Sequence, residues 1–166
     1  MKFKSIGLGI VLLVLILVGG IFLWHGRQQI TPQETLVSYF DFLVNEDYES
    51  AVEIFYPLDG NGDYDWSMVT QYRNTKTKSS TKAEELADYC EAVGTCLQVE
   101  VLSSVEIDID LYAFEVQFRE KDGGVFLYGP FGGIMAEQSP PETKFQYYVK
   151  KIDNVYKVIT PPLYRP

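Results

Sequence analysis

Asp59, Asn61, Asp63 and Asp65 place four oxygen-bearing side chains at every second position of the stretch PLDGNGDYDW, residues 57–66. Calcium loops space their ligands this way, with side chains at positions 1, 3 and 5, a carbonyl at 7, a glycine at 6 and a closing glutamate at 12. Here Tyr64 stands at the glycine position and Thr70 at the glutamate position, while Pro57 ends the preceding helix before the loop begins. The stretch therefore reads as an Asp/Gly-rich turn. Weak calcium binding is the chemical alternative, at an affinity of about 10⁻⁴ to 10⁻³ M that is useful only outside a cell.

Cys90 and Cys96 form the second reactive pair, with five residues between them. In an oxidising compartment they are expected to join as a disulfide between a helix end and the following strand. Two reduced, buried thiols are the alternative. Zinc needs four ligands, and the single histidine, His25, lies in the leading apolar segment, away from both thiols. The same lack of histidine excludes a Ser-His-Asp triad, and a cysteine nucleophile is disfavoured beside a partner thiol. Gly129, Gly132 and Gly133 surround Pro130 and Phe131 without the lysine and following helix that a phosphate-cradling loop needs.

The elements that must position these residues begin with a leading segment. Lys2 and Lys4 precede an uncharged run from Ser5 to Trp24. A helix of that length rises about 30 Å, enough to cross a bilayer. The run continues through Ile21, Phe22, Leu23 and Trp24 past the small-residue site at Gly19 and Gly20, so an uncleaved signal-anchor over residues 1–27 is expected rather than a cleaved signal peptide. No cysteine lies beside it to carry a lipid. The two lysines favour a cytoplasmic start, which puts residues 28–166 outside a single-pass cell-membrane anchor. From Gln28 onward eleven basic side chains face all 23 acidic ones of the chain, a balance that repels nucleic acid and anionic lipid heads.

Residues 28–166 are long and apolar enough for one domain with a real core. Thr31-Pro32-Gln33-Glu34 is a capping box with proline at the first helical position, and Leu36, Phe40 and Leu43 then mark one helical stripe. Asp47 caps a second helix bearing Tyr48, Ala51, Val52 and Phe55, which Pro57 stops. A short helix is expected after Ser67, and the polar, basic stretch from Arg73 to Lys78 reads as a solvated loop able to fold back on the Asp-rich turn. Thr81-Lys82-Ala83-Glu84 is a second capping box, opening a helix with Leu86, Cys90 and Val93 on one face that ends at Gly94. The period then switches to two. Leu97, Val99 and Val101 are expected to face inward, as are Val105, Ile107 and Ile109, with a bend or bulge at Ser103-Ser104. Tyr112 to Phe118, Val125 to Tyr128, Phe145 to Val149 and Tyr156 to Val158 complete the strands, the third of them interrupted by Pro130. Helices first and an antiparallel meander second make an α+β fold, with three or four helices on a curved sheet of four to five strands.

Thr31-Pro32-Gln33-Glu34, the break at Asn45-Glu46-Asp47-Tyr48, and the closing Tyr147-Tyr148-Val149-Lys150-Lys151-Ile152-Asp153-Asn154-Val155-Tyr156-Lys157-Val158 resemble the opening and last hairpin of small extracytoplasmic domains of the cystatin-like, nuclear transport factor 2-like superfamily. The resemblance covers both ends of residues 31–160. It implies a curved sheet wrapped around helices, with a cone-shaped cavity. Enzymes of that superfamily, of the ketosteroid isomerase and dehydratase types, use a buried Asp or Asp-His base with Tyr or Asp donors. Asp41, Tyr39, Glu115 and Tyr147 are the residues here that could supply such groups, yet they follow none of its motifs. Asp41 fits the polar face of the first helix, and Glu115 the solvent face of a strand. No catalytic residue is assigned.

Two functions remain. The first is a membrane-anchored, non-catalytic module that binds another envelope protein or peptide, its twelve tyrosines offering amphipathic contacts. The second is a small-molecule or enzymatic cavity.

Overall fold

The computed structural model describes residues 30–71, 81–93, 96–129 and 141–163. The expected anchor, the basic stretch at 73–78, Gly94 and the 130–133 interruption lie outside these residues. Among the described residues no helix is long and apolar enough to cross a membrane. The compact unit that contains the described elements is Thr31–Pro166.

Among the described residues four helices precede four strands: α1 (Pro32–Val44), α2 (Tyr48–Glu53), α3 (Ser67–Thr70), α4 (Lys82–Val93), β1 (Gln98–Asp108), β2 (Leu111–Arg119), β3 (Phe145–Ile152) and β4 (Val155–Val158). The sheet is antiparallel throughout, in the order β1-β2-β3-β4. The chain is α+β.

Both capping boxes form. The Glu34 amide donates to Thr31 Oγ1 at 3.1 Å and the Thr31 amide to Glu34 Oε2 at 2.8 Å, which satisfies two amides that would otherwise be orphaned. Thr81 and Glu84 repeat the exchange at 3.2 Å in each direction. Asp47 caps α2 through the Ser50 amide. That helix ends at Glu53, short of Pro57, because the chain leaves it to pair in parallel with the end of β4. The Val158 amide donates to Ile54 O and the Tyr56 amide to Val158 O, both at 2.9 Å. The 54–58 segment thus pairs with the end of β4, at Val158 and Ile159.

The helices pack on one face of the sheet. Leu36, Tyr39, Phe40 and Leu43 of α1 are buried against Phe114, Val116 and Phe118 of β2 and Tyr147 and Val149 of β3. At the centre, the Phe40 ring lies 5.1 Å from both Phe118 and Tyr147 in edge-on contacts. Burying each such ring is worth about 1.5–3 kcal/mol.

Three strand expectations are corrected. Leu97 and Val99 are buried, but Val105, Ile107 and Ile109 are exposed at 58%, 51% and 86%. The cause is a bulge one residue ahead of the expected bend: Val101 faces Val116 while Ser103 faces Glu115, so Leu102 is the extra residue and the inward parity reverses after it. Val105 consequently faces Ala113 on the outer side, and a second irregularity leaves Ile107 unpaired. The 125–128 stretch is not a sheet strand either. Its edge of β2 is already paired with β3 over Leu111–Val116, which leaves, among the described residues, the Arg119–Val125 bridge and the Phe126 amide bonded to Phe118 O.

Two buried hydroxyls stand out. Tyr39 and Tyr147 are fully buried, and among the described residues the Tyr39 hydroxyl has no hydrogen-bond partner, while the Tyr147 hydroxyl lies against the Leu163 backbone. Burial holds both phenols well above the ordinary tyrosine range, so they remain neutral O–H groups. A buried donor left unmade costs about 1–3 kcal/mol. Tyr39→Phe keeps the ring and removes that penalty, so it is expected to raise the thermal midpoint, by the equivalent of about 1 kcal/mol. A lower midpoint would mean that the hydroxyl holds a buried water.

Candidate functional site

The Asp-rich stretch folds as a tight loop closed by the Leu58–Tyr64 bridge. Asp59 Oδ1 accepts from the Asn61 amide at 2.8 Å and the Asp63 amide at 2.9 Å, and Oδ2 accepts from Asn61 Nδ2 at 3.2 Å. The Asp63 and Asn61 amides hold the Asp59 carboxyl below the usual carboxylate range. Asp65 accepts instead from the Ser67 amide at 2.8 Å, opening α3. Asp59 and Asp65 thus organise the backbone as an Asx turn does. Among the described residues no three His, Cys, Asp or Glu side chains converge as a metal site.

Beyond Asp63 the loop makes an aromatic contact with α4. Tyr64 and Trp66 lie roughly parallel, Lys82 Nζ sits 4.7 Å and 5.2 Å from their ring centres, and Trp66 Nε1 donates to Glu85 at 2.7 Å. The platform is thereby occupied by the chain's own lysine, which ties α4 to the loop.

The sequence's four acid and phenol candidates are not brought together. Asp41 is exposed on α1, and Glu115 is ion-paired with Lys144 at 3.0 Å on the outer face of β2, while Tyr39 and Tyr147 are in the core. Thr35 is the buried polar residue among those described, with its hydroxyl donating to Thr31 O at 3.0 Å. No carboxylate is buried beside the two tyrosines among the described residues.

A concave site lies elsewhere, where the α1–α2 break, the last turns of α4 and the start of β1 meet the end of β2. Cys90 and Cys96 are joined by a disulfide with their Cα atoms 5.5 Å apart, and this bond with Leu43 and Leu97 lines the apolar part of a groove of about 770 Å³. That volume lies within the range of small-ligand and peptide-side-chain sites. Glu46, Asp88, Glu91 and Glu120 make its rim acidic against Arg119 and Lys121. Arg119 is itself held by Glu100 at 2.5 Å.

Local folding explains the rim. At the break, the Asp47 amide donates to Phe42 O at 2.9 Å and Glu46 adopts φ 61, a left-handed conformation uncommon outside glycine. This tight reversal sets Glu46 beside Tyr48 at the first position of α2, with Glu91 of α4 nearby. Partial burial, then Glu46 and Glu91, raise the Tyr48 phenol above its ordinary range, so the ring stays neutral beside two carboxylates. Across the groove, Gly123 at φ 86 closes the turn after β2, its amide donating to Glu120 O at 2.8 Å.

An apolar floor with a phenol between two carboxylates can hold an apolar side chain next to a cationic one. It contains no histidine and no free thiol with which to do covalent chemistry, since both described cysteines are bonded. The sequence marked the cysteine pair and the break at Asn45-Glu46-Asp47-Tyr48. Periodicity gave no sign that the two would face one concavity. Compared with known protein families, curated proteins and solved structures, the chain matches none.

Proposed function

We propose that this chain is a membrane-anchored, non-catalytic binding module whose domain lies outside the cell and holds a segment of another envelope protein or peptide. A cone-shaped fold of the nuclear transport factor 2-like kind is part of the same proposal, supported by helices packed on one face of an antiparallel meander. The acid-rimmed groove carries the functional proposal. A disulfide on its floor agrees with an oxidising location. A catalytic cavity has less support, because rings of Phe40, Phe118 and Tyr147 fill the centre at 5.1–5.7 Å and no buried carboxylate accompanies them among the described residues.

The test uses the full chain in detergent. Panning against a random peptide library is expected to select sequences pairing Lys or Arg with a large apolar residue, and Glu46→Lys with Glu91→Lys is expected to abolish their binding. Undiminished binding by the charge-reversed chain would overturn the groove as the site. Protease added to spheroplasts is expected to digest the domain, and full protection would overturn its external location.

A further inference from the structure

The two edges of the sheet differ. The end of β4 is paired at Val158 by the 54–58 segment, whereas among the described residues none pairs with the outer edge of β1. From Leu102 to Asp108 every β1 residue is exposed. Ten large apolar side chains are exposed among the described residues, and four of them, Leu102, Val105, Ile107 and Ile109, fall within this one strand and its turn. Such concentration marks a contact surface rather than scattered exposure. An open edge also presents unpaired amides and carbonyls.

We propose that the outer edge of β1 is a docking site for an extended segment of a partner protein in which apolar residues alternate with lysine or arginine. Strand addition supplies the main-chain hydrogen bonds, and side chains give the specificity. The two irregularities bracket a regular stretch at 103–106 and present Leu102 and Ile107 at its ends, so the apolar contacts flank a short, defined register. Charge identifies the occupant. Glu106 and Asp108 have no cation within ion-pair distance among the described residues, while Asp110 is engaged by Lys151 at 3.7 Å. Lysine or arginine on the incoming strand neutralises them. A second copy of this chain would instead bring its own Glu106 and Asp108 to the same contact, and like charges across a strand pair are unfavourable. The bulges and acids are the features that natural edges use against self-pairing. This surface is separate from the groove and stands without it.

The experiment uses the full chain in detergent with two blocked heptapeptides, one alternating lysine and valine and the other alternating glutamate and valine. The lysine peptide is expected to bind and to slow hydrogen exchange at alternate amides within residues 102–109. Ile107→Lys and, separately, Glu106→Lys are each expected to weaken it roughly tenfold or more, with near-ultraviolet dichroism unchanged. Equal binding of both peptides overturns the proposal. So does loss of binding in the Glu46→Lys, Glu91→Lys chain with none in Ile107→Lys, which assigns the peptide to the groove. A dimer seen by sedimentation that Ile107→Lys dissociates would give the edge to a second copy and also overturn it.

Discussion

Phe118→Ala is expected to cost about 4 kcal/mol, the largest loss expected from a single substitution in this chain. The ring is fully buried, and it touches Phe40 at 5.1 Å, Phe145 at 5.6 Å, Tyr147 at 5.7 Å and Phe126 at 6.5 Å. It is the point where α1, β2, β3 and the 125–128 segment converge. Neighbouring rings cannot collapse into the space, because each is held by its own element, so the cavity term adds to the lost transfer energy. Domains of this kind are stable by only about 5–15 kcal/mol, so a substantial fraction goes. Urea denaturation checks this: the midpoint should fall sharply with the slope unchanged, and the thermal midpoint should drop roughly 12 °C or more. Phe118→Leu should retain most of the stability. A loss below about 1 kcal/mol for the alanine variant would show that the aromatic centre is not where stability resides.

The signals that could be read from sequence are those settled within a few residues. Thr31 and Thr81 each meet a glutamate three positions on, and both boxes form as the spacing requires. Strand parity is different. Leu97 and Val99 face inward at the entry to β1, with Val99 opposite Phe118 and Val101 opposite Val116, while the turn at 109–110 sets Asp108 against Leu111 with Asp110 at φ 59. Those two constraints demand different registers. The chain reconciles them with extra residues at Leu102 and Ile107, which no local pattern in β1 specifies. The apolar alternation that reads as a core face therefore becomes an exposed one. The 125–128 stretch fails as a strand for a related reason, since it competes with β3 for an edge of β2 across a long connection. Asp59 illustrates the converse: its alternating acids match a metal pattern, but the nearest donors are the loop's own amides. As for the groove, Glu46 and Glu91 are far apart in sequence, and only the left-handed turn at Glu46 and the end of α4 bring them to one rim.

Replacing Cys90 and Cys96 together with serine is expected to cost about 2 kcal/mol, the second largest effect, and to lower the thermal midpoint by roughly 6 °C. The bond closes a loop with a sequence separation of 6, and the cost of closing a loop in the unfolded chain grows only with the logarithm of its length. A loop this short therefore contributes less than the roughly 3 kcal/mol of a fifteen-residue one. Position adds to the effect. Cys90 is buried on α4 and the bridge leads into Leu97 at the entry to β1, so the bond fixes the helix end to the strand that carries the inward register. It also lines the groove beside Leu43. Losing it should loosen the wall bearing Glu91 and weaken binding there more than Phe118→Leu does at equal stability. Dithiothreitol should lower the midpoint of the wild-type chain and leave the double serine variant unchanged, and native cysteines should resist alkylation until reduced. If reductant leaves the wild-type midpoint where it was, the constraint is absent and so is the main support for an oxidising location.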